Sequence, residues 1–373
     1  MTARRRTVAA LAAAVATILT ACAGSTASPT VRTQPSPTPA ESAPSPAPIN
    51  PTPKTSAAPP SAPAATARWS ELEPATGPAA REDHTWTLAG DGSSALLFGG
   101  RDGASVHGDL WSYDLEADEW TAVGAAGGPA PRFGHEAAWV DGIGLVVFAG
   151  QAGTTFFNDL WAFDPDAGTW AALPSTGAVP VARYGTCMAL GPDGRLWISH
   201  GFTSDGTRFA DTRAWDPATG AWTDETPDGD LPVSRCLHGC WWTADGRLAL
   251  FGGQTTGVTA LDDRWLLDGQ WSRLEGTQPP ARNLYARGRV GDATLVLGGQ
   301  ALDQSFLSDG WWLLDPGGPA IPLEADGTAP PGRAGAEIVV DYARDRLLVF
   351  GGRNADGAFA DVWELARLSG SLP

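Results

Sequence analysis

The chain has 373 residues, of which 46 are glycine, 31 proline and 17 tryptophan, a composition that favours turns and bulky strand packing over long helices. Its formal charge of −17 becomes −20 once Arg4, Arg5 and Arg6 are set aside with the first segment, which argues against nucleic acid or an anionic membrane surface as partner. No convincing amphipathic helix follows residue 30.

The three arginines precede an apolar stretch from Val8 to Leu19 and then Leu19-Thr20-Ala21-Cys22. That arrangement predicts an export signal over 1–21, too short to persist as a membrane span. The last four residues resemble a bacterial lipobox, which implies cleavage before Cys22 and a lipid on that cysteine. The competing reading is an ordinary signal with an incidental cysteine. A lipid at Cys22 would place the protein on the outer face of the bacterial cytoplasmic membrane. Residues 22–67 are dominated by Pro, Ser, Thr and Ala, with no tryptophan, and bury too little apolar surface to fold. They are expected to form a tether reaching up to about 3.1 Å per residue.

From residue 68 onward one phrase recurs six times, about fifty residues apart. Each copy opens with Pro-x-x-Arg, runs into an apolar stretch ending in a glycine pair or its equivalent, and continues through Asp-x-Trp, Asp211-Thr212-Arg213 in the third copy, toward a final Trp-x-x-Leu-like segment. The arginines are Arg81, Arg132, Arg183, Arg235, Arg282 and Arg333. Hairpin turns are marked by Asp91-Gly92, Asp141-Gly142, Asp193-Gly194 and Asp245-Gly246, and a second hairpin follows each Asp-x-Trp. Four antiparallel strands per copy result. Such a unit cannot bury both faces alone and must stack on its own copies.

The diglycine positions (Gly99/Gly100, Ala149/Gly150, His200/Gly201, Gly252/Gly253, Gly298/Gly299 and Gly351/Gly352), with the tryptophans Trp120, Trp170, Trp222 and Trp271, resemble the kelch repeat over residues 69–365. The resemblance implies an all-β, kelch-type β-propeller. Ile321 stands at the fifth tryptophan place. The sixth copy ends after Asp361-Val362-Trp363 without a fourth strand, while Trp69-Ser70-Glu71-Leu72 matches Trp271-Ser272-Arg273-Leu274. The N-terminal strand is therefore expected to complete the last blade, giving a single six-bladed ring over 68–373, expected to be monomeric, with no open edge.

Antiparallel pairing places the repeat arginine and the residue after each glycine pair at one end of the first hairpin, hence at one mouth of the axial channel. The second positions are Arg101, Gln151, Phe202, Gln254, Gln300 and Arg353. Repeat arginines read as blade structure bonded to a neighbouring blade. Arg101, Gln151, Gln254, Gln300 and Arg353, with His200 replacing a glycine, are the better ligand candidates. The aspartates of Asp-x-Trp read as turn or strand-end bonds, and His84, His135 and His238 as packed, hydrogen-bonded repeat positions. Cys236 and Cys240 lie about 13 Å apart if on one strand, beyond disulfide reach, and with His238 make a poor metal set. Cys187 is expected to pair with either of them. No cofactor or metal is implied.

A tethered repeat scaffold without a catalytic constellation suits recognition of a protein or glycan at the mouth and the loops 101–108, 151–158, 202–210, 254–262, 300–308 and 353–360. The alternative is a sugar mutarotase or epimerase, for which Glu82, Asp83 and Glu136 could serve as acid and base beside an arginine. Copper radical oxidases resemble this fold too, but they need two tyrosines, one crosslinked to cysteine, and two histidines. No such motif surrounds Tyr113, Tyr184, Tyr285 or Tyr342.

Overall fold

Each blade is built on a four-stranded antiparallel sheet, to which blade 3 adds a short parallel strand, Thr176–Gly177, beside Ala221–Asp224. Blade 1 consists of Thr85–Leu88, Ser94–Phe98, Leu110–Asp114 and Glu119–Val123. Blade 2 runs through Glu136–Val140, Gly144–Phe148, Leu160–Asp164 and Thr169–Ala172. Blade 3 contains Cys187–Leu190, Leu196–Ser199, Thr212–Asp216 and Ala221–Asp224. Blade 4 contains Gly239–Trp242, Leu248–Phe251, Arg264–Asp268 and Gln270–Leu274. In blade 5 the strands are Ala286–Val290, Ala293–Leu297, Gly310–Leu314 and Ala320–Pro322. The computed structural model describes residues 66–372, so the signal over 1–21, Cys22 and the tether up to residue 65 lie outside the described residues. Among the described residues no helix is long and apolar enough to cross a membrane.

Blade 6 is assembled from both ends of the chain. Ala334–Asp341, Arg346–Arg353 and Val362–Ala366 are followed in space by Arg68–Leu72, which pairs antiparallel with Trp69 opposite Leu365. The clasp places Trp69 in a core with Leu295 and Trp312 of blade 5. Six sheets with no unpaired gap between first and last make the closed propeller.

The second strand of each blade lies between two neighbours and under an adjoining blade, which is why Gly144–Phe148 and Ala293–Leu297 are buried along their whole length. Outer-strand tryptophans fill the wedges between blades. Trp120 packs on Phe350 of blade 6, Trp170 on Phe98 of blade 1, and Trp222 on Phe148 of blade 2. The fifth wedge differs from expectation. Trp222 sits opposite Trp215 and Trp271 opposite Leu267, and the matching partner of Leu313 is Ala320, with Ile321 one place further. A one-residue step turns a side chain to the other face of the sheet. Ala320 therefore faces blade 4, while Ile321 packs against the core shared by blades 5 and 6.

Every repeat arginine is a clamp inside its own blade, a correction to the expected bond with a neighbouring blade and to a place at the ligand rim. Arg81 donates from Nη1 and Nη2 to Asp109 at 2.7 and 2.9 Å, from Nη1 to the Gly99 carbonyl, and from Nε to the Ala79 carbonyl. Arg132, Arg183 and Arg235 repeat this with Asp159, Asp211 and Asp263, as does Arg333 with Asp361, and Arg282 reaches Asp309 through Nη2 at 3.0 Å. All six guanidinium groups are buried, so none can reach a ligand. Burial raises the Asp109 carboxyl, but hydrogen bonds from Arg81 and Trp111 outweigh it and hold its pKa below the usual range.

A second device joins blade to blade. Two residues after each clamp arginine, the backbone is left-handed at Asp83, Gly134, Gly185, Leu237, Leu284 and Gly335. In that conformation Gly134 N–H donates to the Asp83 carbonyl, Gly185 to Gly134, Leu237 to Gly185, Leu284 to Leu237, Gly335 to Leu284 and Asp83 to Gly335. The six bonds form a closed cycle around the axis.

The Cys187–Cys240 disulfide staples the inner strands of blades 3 and 4, resolving the two expected pairings. Cys236 is buried outside the bridge, beside Gln254. Replacing Cys187 and Cys240 by alanine is expected to cost about 4 kcal/mol in chemical denaturation, from the entropy of closing a loop of 53 residues. Asp263→Asn strands the buried Arg235 charge and is expected to cost about 3–5 kcal/mol by the same measurement.

Candidate functional site

Inner strands run away from the mouth, so the loops between second and third strands, and the connectors entering each Pro-x-x-Arg, share the mouth face. The residue after each glycine pair is anchored there by a bridge to the residue after the clamp arginine: Glu82 with Arg101, Phe133 with Gln151, Tyr184 with Phe202, Cys236 with Gln254, and Asn283 with Gln300. Arg353 faces Ala334 in the same way. The expected common rim is thus formed, and its side chains are half-buried.

The rim is not uniform. Arg101 reaches Glu82 and Asp83, both at 3.1 Å, and lies over the Phe133 ring at 4.3 Å. Arg353 holds the other oxygen of Glu82 and lies over Phe306. Asp83 also accepts from Tyr184 Oη at 3.0 Å. Phe133, Tyr184, Phe202 and Phe156 make successive edge-on contacts across blades 2 and 3. Gln151 and Gln300 bond to their own loops, at Gly153 and Gln304, which fixes their amides without committing their carbonyl oxygens.

His200 is corrected from the rim to the interior. Its left-handed backbone keeps the diglycine geometry, while its ring is fully buried between Ser199 Oγ at 2.6 Å and the Pro232 carbonyl at 3.3 Å. Burial and the nearby Arg235 charge pull its pKa down to about 3.

Below the backbone cycle the channel holds a cavity of about 60 Å³, lined by Asp83, Glu136, Tyr184, Tyr285, Arg287 and Glu337, among others. That is room for about four waters. Arg287 donates to Glu136 at 3.3 Å, and its charge also faces Glu337. Burial pushes the Glu337 carboxyl up to about 8, with Glu136 and Asp83 adding to the effect against Arg287. Glu82 is pushed up to about 7 by burial and Asp83, against Arg101 and Arg353. Asp83 and Glu136 thus line this cavity, while Glu82 is held outside its lining by Arg101 and Arg353. Arg287 and Glu337 were not among the sequence candidates, although charged residues within inner strands that are otherwise largely apolar were a usable signal. Among the described residues no three histidines, cysteines, aspartates or glutamates converge in a metal-binding group.

A family model described as the KLHDC2/KLHL20/DRC7 kelch-repeats domain matches residues 63–253 and 216–366. The chain belongs to the kelch-repeat family. Its propeller is a protein-binding module in general type. It is 31% identical over 141 residues to the F-box/kelch-repeat protein At1g51550 of Arabidopsis thaliana, a match covering 32% of this chain and 29% of that protein. The kelch chain thus spans less than a third of that relative's own length.

Glu337 binds a proton more tightly folded than unfolded, so its stabilising contribution is complete below 4.5 and is lost as pH rises to about 8. The melting temperature is expected to fall across that interval. Glu337→Gln should flatten the decline and be more stable than the parent above pH 8 in thermal melts taken as a function of pH.

Proposed function

We propose that this kelch propeller is the recognition head of an exported, lipid-anchored protein, and that it binds a protein partner with its mouth face. The observation that carries this reading is the distribution of exposed apolar side chains. Seven large hydrophobic residues are exposed among the described residues, and five of them, Val179, Val181, Val233, Val258 and Leu302, lie on the connectors and loops of the mouth. Loop contacts join part of this arc: Arg208 donates to Thr256, and Thr259 donates to the Leu302 carbonyl. An apolar arc beside Arg101, Arg353 and the aromatic run has the makeup of a protein interface, with arginine and aromatic anchors amid a polar rim. Glycan recognition at the same face has less support, because the most exposed positions are aliphatic. A mutarotase reading in the axial channel is disfavoured by the size of the cavity there, too small for a hexose.

The anchor follows from Cys22 and its preceding residues, and the Pro-rich tether would hold the mouth clear of the membrane. Incorporation of a labelled fatty acid into the full chain, abolished by Cys22→Ser, tests the anchor. For the head, partners crosslinked at the cell surface are compared between variants. Val233→Asp and Leu302→Asp are expected to reduce capture about tenfold or more, while Leu190→Asp and Tyr342→Asp, on the opposite face, should leave it unchanged. Equal loss in both pairs would refute a mouth-face interface.

A further inference from the structure

The seam between blades 4 and 5 is built differently from the other five. Its outer wedge carries Ala320 where Trp120, Trp170, Trp222, Trp271 and Trp69 fill the equivalent places. Its inner strands also approach each other less closely than any other neighbouring pair. In the gap, Gly239 leaves the path that Arg287 takes: a Cβ there would lie 2.9 Å from Arg287 Cδ and 2.6 Å from Tyr285 Oη. The glycine is a requirement of the seam.

At the end of the channel away from the mouth, this seam opens into a second cavity of about 380 Å³, within the size range of small-molecule sites. Its walls include Leu190, Trp241, Trp242, Arg287, Arg289 and Thr294. Cross-strand pairing sets Arg289 directly opposite Thr294. Thr294 is 1% exposed, yet its hydroxyl has no hydrogen-bond partner among the described residues, and neither has the buried Trp242 Nε1. A buried polar group left in this state costs about 1–3 kcal/mol, but both atoms are sealed from the cavity, so the polar groups that face a ligand are the half-buried guanidinium groups of Arg287 and Arg289. Arg287 makes its hydrogen bond to Glu136, and Arg289 donates from Nε to the Gly291 carbonyl with Asp315 3.6 Å away. Their other N–H groups make no hydrogen bond within the described residues.

We infer that this cavity is a binding site for a small carboxylate borne on a six-membered ring, distinct from the mouth interface and at the opposite end of the channel. The carboxylate accepts from Arg289, with a further guanidinium at Arg287. The ring lies against the Trp242 indole. Two ring types share this chemistry, an aromatic acid and a sugar acid.

The test is titration of the full chain with benzoate, glucuronate and acetate, read by tryptophan fluorescence and calorimetry. At least one ring acid is expected to bind with a dissociation constant of about 1 mM or tighter, and acetate about tenfold more weakly. Preference for benzoate identifies a planar ligand, and preference for glucuronate a saccharide acid. Arg289→Gln should weaken the preferred ligand about tenfold. Trp242→Leu removes the aromatic wall and is expected to weaken the ring acid severalfold while leaving acetate unchanged. No saturable binding of either ring acid, or binding undiminished in both variants, overturns the assignment. Because the mouth variants lie at the other end of the channel, loss of partner capture and loss of acid binding are separately observable.

Discussion

Six backbone hydrogen bonds running head to tail around the axis are what turn six sheets into one object. Each is an ordinary amide-to-carbonyl bond worth about 1 kcal/mol net. Because the cycle closes, a change in the separation of one pair of blades must be accommodated by the others. It also demands a left-handed residue in every blade, which glycine supplies at Gly134, Gly185 and Gly335 without cost. Asp83, Leu237 and Leu284 adopt it against their preference, and for Asp83 the site has a use: its carboxylate is delivered to Arg101 and Tyr184 at the channel mouth.

The clamps hold that cycle in place. Each arginine ties the start of an inner strand to the start of the third strand and to the first diglycine carbonyl, so the mouth has a fixed floor on which the loops can vary. Five of the six aspartates also accept from the indole of Asp-x-Trp, and in blade 3 Arg213 takes the indole's place at Asp211. A buried guanidinium bonded on three sides is fully committed. Arg101 and Arg353, paired with Glu82 and Asp83, stay part-exposed at the mouth.

Much of this was legible in the residues. Repetition gave the blade count, and the likeness of Trp69-Ser70-Glu71-Leu72 to Trp271-Ser272-Arg273-Leu274 gave the closure, because both depend on local patterns of four or five residues. What was missed depends on pairing across strands. Counting along the chain put Ile321 in the fifth wedge, whereas register puts Ala320 there, since side chains alternate at every residue. His200 looked like a channel residue because it replaces a glycine, but the left-handed backbone at that position sends its ring between blades. Arg287 and Glu337 meet only because blades 5 and 6 are neighbours and the axis is shared with Glu136 of blade 2.

The clasp between Arg68–Leu72 and Val362–Ala366 has a bearing on how the protein is made. A strand ahead of the first blade that pairs into the last cannot meet its partner until the ribosome has finished the last blade, so a growing chain carries five sheets with an open margin. Completion is then a single late event, in which the first-made strand, Arg68–Leu72, pairs with the last and seals the margin. A truncation at the C-terminus would forfeit the seal even though most of the sheets remained intact.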